Sequence, residues 1–433
     1  MFFLLLLVLL QSVFGYEEVL QRRVVGGFEQ IVMNFRHAEA PRNIRQLFHA
    51  FPHLHSFELS FGQQRWDYEE WGLQPTGLEK PMGVYLKVEH RKNSSSRLFE
   101  WDRFVQVLGG MFCASLSLLK EADLVMTSVG DMERWEGLMP REAVCTENLT
   151  PWAKLLPCGG QAGLGKLLIP RIIYNSRYFI LVIQMCCRYN LMMLQASRQN
   201  DNVVMQQRMH VVLTRETDLT SNLVDECLVP VKREELEKRE ANVHVSRHCQ
   251  SHSAEHGMIH FDLESTLEDS PSSITIEQHL PWQMTLYLHK LPKDIHITLQ
   301  QAITRKRGTV ITLTVPITEN KKRRVSLEYD LPLLKYTEYP IDPHRGLDIA
   351  PAKVTGGAGV VQWTMPSLVR MPVPDFSMPY NVITITCTLL ALFHGQLFNR
   401  LTRSFSITQQ AAAPEKPLRR FLKVLLVKIK DLL

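Results

Sequence analysis

Apolar and polar positions change their period several times along this chain. Met1 is followed by FFLLLLVLL and then QSVFG, an apolar core of signal-peptide length with Val13 and Gly15 ahead of a cut expected near Tyr16. PRNIRQLFHAF, from Pro41 to Phe51, puts Ile44, Leu47, Phe48 and Phe51 on one helical face. FELSF (Phe57 to Phe61) and VYLKVE (Val84 to Glu89) alternate as strands. LFEWDRFVQVLGGMFCASL (Leu98 to Leu116) has helical spacing at Leu98, Trp101, Val105 and Leu108, and Gly109-Gly110 predicts a break in that helix. From Leu280 the pattern predicts strands throughout: LPWQMTLYLHKL, IHITLQ, GTVITLTVPI and RRVSLEYDLPLL, punctuated by Pro or Gly at the intervals of a β-sandwich.

A second apolar run, VITITCTLLALF from Val382 to Phe393, reaches the length of a bilayer when extended from Met378 to Phe398. Pro372, Pro374 and Pro379 set it apart from what precedes, and its threonines are able to bond back to helix carbonyls. The fold expected is therefore mainly β with some α. A signal peptide (1–15) precedes an α+β region (16–196) and a polar connector or insertion (197–273) containing KREELEKRE. A β-sandwich-like region (274–377), one transmembrane helix (378–398) and a basic tail (399–433) complete the chain.

Charge sharpens the membrane reading. Beyond Asn399, eight Lys and Arg stand against Glu415 and Asp431, a net +6, whereas the whole chain carries +5. The basic excess flanks one apolar run, as the positive-inside rule expects of a cytosolic tail, which places the bulk of the chain in an oxidising lumen as a single-pass type I protein. The body has no basic excess for nucleic acid. RRFLKVLLVKIKDLL at the end has the pattern of an amphipathic surface helix.

Candidate chemistry is sparse. GQAGLGKL (Gly160 to Leu167) has phosphate-loop spacing, but Leu167 replaces the Ser or Thr that holds magnesium. His252, Glu255 and His256 spell H-x-x-E-H within a four-residue histidine array at His244, His248, His252, His256 and His260. The surrounding HVSRHCQSHSAEHG favours a polar loop or edge strand over the firm helix a metalloprotease needs, and no metal or cofactor is assigned. Of eight cysteines, Cys387 lies in the apolar run and seven remain in the lumen, an odd number. Cys145, in CTENLTPWAKLLPC, is open to several roles: a loop closed with Cys158, a nucleophile, a metal ligand or a bond to another chain. A lumenal cysteine- or metal-dependent hydrolase is the alternative these residues leave. Asn93 in HRKNSSSR is the expected glycosylation site, and Asn148, crowded by Pro151 and Cys145, is expected to carry little or no sugar.

Four stretches together resemble a known family: VCTENLTPWAKLLPC (Val144 to Cys158), FCASL (Phe112 to Leu116), LLKYTEYPIDPHRG (Leu333 to Gly346) and PVPDFSMPYNVITITCTLL (Pro372 to Leu390). They are similar, in the right order, to the PIG-T subunits of the glycosylphosphatidylinositol (GPI) transamidase. The likeness spans most of Phe57 to Arg403 in patches, and the stretch from about Ser197 to Ser273 does not match clearly. The resemblance implies a non-catalytic scaffold subunit in the endoplasmic reticulum membrane. Its implied partners are a caspase-like PIG-K catalytic subunit and GAA-type, PIG-S and PIG-U subunits. The position matching the family's interchain disulfide to PIG-K is Cys145.

Overall fold

The computed structural model describes residues 15–91, 100–120, 124–140, 145–188, 202–215, 227, 229–241, 243–265, 272–317, 322–339, 342–356, 360–374, 377–403 and 417–430. The expected signal peptide and Asn93 lie outside them, apart from Gly15. The chain divides into two units, 1–373 and 374–433.

The first unit opens with β1 (Tyr16–Val25), β2 (Phe28–His37), α1 (Arg42–Ala50), β3 (Leu54–Gln63), α2 (Tyr68–Trp71), β4 (Gly83–Arg91) and α3 (Trp101–Phe112). β5 (Val125–Val129), β6 (Met132–Met139), α4 (Thr146–Lys154), α5 (Pro170–Tyr174), β7 (Tyr178–Arg188), β8 (Asn202–Thr214) and β9 (Lys232–Glu235) follow. These strands form one nine-stranded sheet in the order β5-β6-β4-β3-β7-β8-β2-β1-β9. Every pairing is antiparallel except that of β1 with β9.

The sheet is covered on both faces. Phe179, Leu181, Ile183 and Met185 of β7 join a large core with Ile44, Leu47 and Phe48 of α1, Phe104 and Leu108 of α3, and Leu149 and Trp152 of α4. The intervening Ile180 and Val182 pack on the other side with Trp66, Trp71 and Tyr178. A strand buried on both faces reads as an unbroken apolar run, which is why YFILVI shows no alternation. Helix α3 runs through Gly109-Gly110, against the expected break. A Cβ at Gly109 would come within 2.8 Å of the Ala114 carbonyl, so that glycine is the price of a close chain approach, not a terminator.

The same unit continues as a sandwich. It comprises β10 (Val243–Ser251), β11 (His256–Ser265), β12 (Ser272–Leu280), β13 (Thr285–Leu286), β14 (His296–Gln300), β15 (Thr309–Ile317), β16 (Lys322–Asp330), β17 (Leu347–Ile349), β18 (Lys353–Thr355), β19 (Val361–Trp363) and β20 (Ser367–Val369). One sheet has the order β10-β11-β16-β13 and the other β14-β15-β12-β18-β19. Residues two apart, such as Ile259, Phe261 and Leu263 or Ile311, Leu313 and Val315, meet in one core. The stretch 197–273, expected as a connector, thus contributes β8, β9, β10 and β11. Val203, Met205, Met209, Val211, Ile259, Phe261 and Leu263 are the apolar positions that anchor it. LPWQMTLYLHKL is mostly not strand: beyond Leu280, the last residue of β12, only Thr285–Leu286 pairs, and Pro281 and Pro292, which bound the rest, have no ladder donor to give.

The second unit holds α6 (Ser377–Thr402) and α7 (Pro417–Lys430). Tyr380–Thr402 is long and apolar enough to cross a membrane, and none of it is buried. Thr384, Thr386 and Thr388 donate to the carbonyls of Tyr380, Val382 and Thr384 at 2.8, 2.8 and 2.7 Å, the back-bonding expected of hydroxyls in a bilayer.

Candidate functional site

Cys145 is the N-cap of α4, in extended conformation (φ −132°, ψ 179°), with its thiol exposed and outside any disulfide of this chain. Three groups fix it. Asn148, at the third helical position, accepts the Cys145 N–H at Oδ1 (2.9 Å), as the third residue of a capping box does. The Cys145 carbonyl accepts the Asn148 N–H at 3.0 Å. The same carbonyl accepts the hydroxyl of Tyr174, whose ionisation is pushed upward, first by burial and then by the neighbouring Cys145, so it remains a donor.

Asn148 does more than cap. Its Nδ2 donates at 3.0 Å to each of the carbonyls of Phe112 and Cys113, tying the first turn of α4 to the end of α3. Cys113 adopts the left-handed conformation (φ 53°, ψ 39°) that ends α3, and its thiol is also exposed. One buried amide therefore holds the backbones of two exposed cysteines. Asn148 is only 4 % exposed, so a sugar on Nδ2 is incompatible with this packing.

Between α1, the end of α3 and α4 lies an open groove of about 830 Å³, lined by Leu47, Val107, Met111, Cys113, Pro151 and Leu155 among others. Glu147 and Lys154 stand on α4 beside it. Pro151 removes one helix hydrogen bond, that to the Glu147 carbonyl, and presents its ring to the groove. Trp152, which the sequence leaves free to act as an interface anchor, is instead fully buried, edge-on to Phe35 with ring centroids 5.8 Å apart. Its carbonyl accepts from Gln207 at 2.8 Å.

The disulfide that does form within the chain joins Cys158 to Cys227, 69 residues apart, with Cα atoms 6.1 Å from each other. A loop closed between Cys145 and Cys158 is thereby replaced. No spacing in the sequence marks Cys227 as the partner of Cys158.

The other motifs find structural employment. H-x-x-E-H sits on the β10–β11 hairpin: Ser253 Oγ accepts from the N–H groups of Glu255 and His256. His256 bonds Asp330 at 2.5 Å, and His260 lies between Ser326 (2.8 Å) and Gln250 (3.2 Å). Asp330 raises the His256 pKa by that bond and its charge. Among the described residues no three His, Cys, Asp or Glu side chains converge as a metal site would need. Gly163–Leu167 is a short 3₁₀ turn, and its Leu164 N–H donates to Glu18 at 2.8 Å. A buried carboxylate of the protein itself takes the loop amide that a phosphate would need.

The chain matches a family model described as the Gpi16 subunit, GPI transamidase component, over residues 22–237 and 220–430, which takes in the stretch from Ser197 to Ser273. It is 26% identical to the human protein named GPI-anchor transamidase component PIGT, over 85% of this chain and 84% of that one. It is 26% identical to the Schizosaccharomyces pombe protein named GPI transamidase component PIG-T homolog (80% and 79% covered). It is 23% identical to the Saccharomyces cerevisiae GPI transamidase component GPI16 (87% and 82% covered).

Proposed function

Because the chain belongs to the Gpi16 family of GPI transamidase components, we propose that it is a non-catalytic scaffold subunit of that complex. It stands in the endoplasmic reticulum membrane with the first unit in the lumen. The reaction it supports removes a C-terminal signal from a precursor and joins the new carbonyl to the amine of a GPI lipid. The nucleophile for that chemistry belongs to a caspase-like partner of the PIG-K type, and Cys145 forms a disulfide with it.

The observation that carries this reading is the presentation of Cys145. A thiol meant for an internal disulfide or a core position is buried or paired; Cys145 is exposed and unpaired within the chain, its backbone is fixed at a helix N-terminus by Asn148 and Tyr174, and the next residue, Thr146, lines the groove. An exposed thiol on a fixed backbone close to a groove suits a covalent tie to another protein, since the groove supplies contact area and the backbone bonds lower the entropy of ordering. GAA-type, PIG-S and PIG-U subunits are the other partners this reading expects.

The alternative, a hydrolase using Cys145 or the histidines, is disfavoured by the hairpin setting of H-x-x-E-H, which does not place its two histidines as a helix does. Purified chain, free of other subunits, is expected to leave a GPI-signal peptide uncut, whereas the assembled complex cuts it. Cleavage by the isolated chain at a rate comparable to the complex overturns the scaffold reading.

A further inference from the structure

Helix α7 carries an apolar face open to solvent. Phe421, Leu422, Leu425 and Leu426 recur at helical spacing on one side, and all four are exposed. Lys423 lies across the helix from them, Lys428 and Lys430 flank the face on either side, and the exposed Val424 and Val427 share the far side with Lys423. The helix sequence PLRRFLKVLLVKIK has five basic residues and no acidic one. A helix of this kind has too much apolar surface to rest in water and too much charge to enter the hydrocarbon core. Lying in a bilayer interface satisfies both sides.

Two observations select an anionic lipid surface over a protein groove. The charge is of a single sign, which complements phospholipid headgroups carrying the opposite one. The helix also belongs to the same unit as α6, and only the residues 403–416 separate the two. Those fourteen residues span at most about 48 Å, so α7 is never far from the membrane that α6 crosses.

We propose that α7 lies flat on that membrane, its Phe421–Leu426 face buried at the acyl boundary and its lysines on anionic headgroups. The proposal rests on α6 being a membrane span, and its test separates the two. The full chain is placed in nanodiscs of phosphatidylcholine alone, or of phosphatidylcholine with one-third phosphatidylserine, and exposed to a membrane-impermeant maleimide. Peptide mass spectrometry reads labelling at Leu425→Cys, at Lys430→Cys and, as the control for α6, at Leu389→Cys.

Labelling of Leu425→Cys is expected to be about tenfold slower than that of Lys430→Cys in the anionic discs, and to quicken in neutral ones or at high salt. Each basic residue near such a surface strengthens partition about fivefold, so Lys423→Gln, Lys428→Gln and Lys430→Gln combined weaken it about a hundredfold. Glutamine retains helix propensity, so this triple variant is expected to restore fast labelling at Leu425→Cys without unfolding α7. Equal labelling at Leu425→Cys and Lys430→Cys in both discs, with Leu389→Cys protected, overturns the proposal while leaving α6 as a span. So does equal protection in neutral and anionic discs, or protection that appears only when other subunits of the complex are present. Labelling at Leu389→Cys counts against α6 instead.

Discussion

The side-chain oxygen of Asn148 accepts the backbone N–H of Cys145, and the nitrogen of the same amide donates to the carbonyls of Phe112 and Cys113. The amide thus joins the cap of one helix to the end of another. Asn148→Ala leaves two carbonyls in a buried setting without donors, at a cost of about 2–4 kcal/mol. Asn148→Asp keeps the acceptor for Cys145 but loses both donors and sets a carboxylate against carbonyl oxygens. It is expected to be at least as destabilising. Thermal melts of the two variants check this. An Asp variant as stable as the unmutated protein would mean that capping, not the tie to α3, is what Asn148 provides.

That role was not legible in the sequence, where Asn148 shows only as the first residue of a glycosylation triplet. What was legible follows from periodicity. Ile44, Leu47 and Phe48 marked α1, and alternation marked β3, β4, β14, β15 and β16. β7 and β8 carry no clear alternation, because burial on two faces erases it in one and polar neighbours dilute it in the other. The strands within 197–273 are masked by polarity for a related reason: β10 is an edge strand whose outward positions are His, Ser and Gln. Cys145 was marked by the likeness of its surroundings to a family, and its exposure, its two backbone tethers and the groove beside it needed the fold.

Acid stability is set partly by two buried histidines. Burial lowers the pKa of His37, bonded to Gln207 at 3.1 Å, to about 4, and that of His210, packed on Trp66 and Tyr178, to about 3. Both folded values lie below the unfolded value of 6.5. The unfolded chain therefore takes up protons first. The stability these neutral rings contribute is present above pH 6.5 and is lost as pH falls toward 4 and then 3. At pH 5 each histidine costs about 2 kcal/mol relative to pH 7. His210→Phe is expected to reduce the difference in unfolding free energy between pH 7 and pH 5 by about that amount. An unchanged difference in chemical denaturation at the two pH values would show that His210 is already protonated, or open to water, in the folded protein.

Topology makes a separate test. On the proposed lumenal placement of the first unit, protease added outside sealed microsomes is expected to remove only residues beyond about Arg400. Asn93, in the polar stretch after β4, is expected to carry the glycan that a lumenal position allows. Asn93→Gln is then expected to abolish the mass shift on glycosidase treatment, because Asn148 is buried. Digestion of the β15–β16 region from outside would invert the orientation, and a remaining glycan in Asn93→Gln would place sugar elsewhere.

The central prediction concerns the two cysteines of CTENLTPWAKLLPC, which the structure separates by role. Cys158 closes a disulfide with Cys227 across 69 residues, and chain entropy assigns such a bond about 4 kcal/mol. Cys158→Ser with Cys227→Ser is therefore expected to lower the melting temperature markedly. Cys145 is exposed and unpaired within the chain, so Cys145→Ser is expected to change stability by no more than about 0.5 kcal/mol. The two variants part company on a non-reducing gel of the native complex. Cys145→Ser is expected to remove the high-mass band proposed to join this chain to a cysteine-protease subunit, with the subunits still co-purifying at reduced activity. The Cys158–Cys227 variant, where it folds, keeps the band. Survival of the band in Cys145→Ser moves the interchain bond to another thiol, with exposed Cys113, held by the same Asn148 amide, the first to be tested by Cys113→Ser.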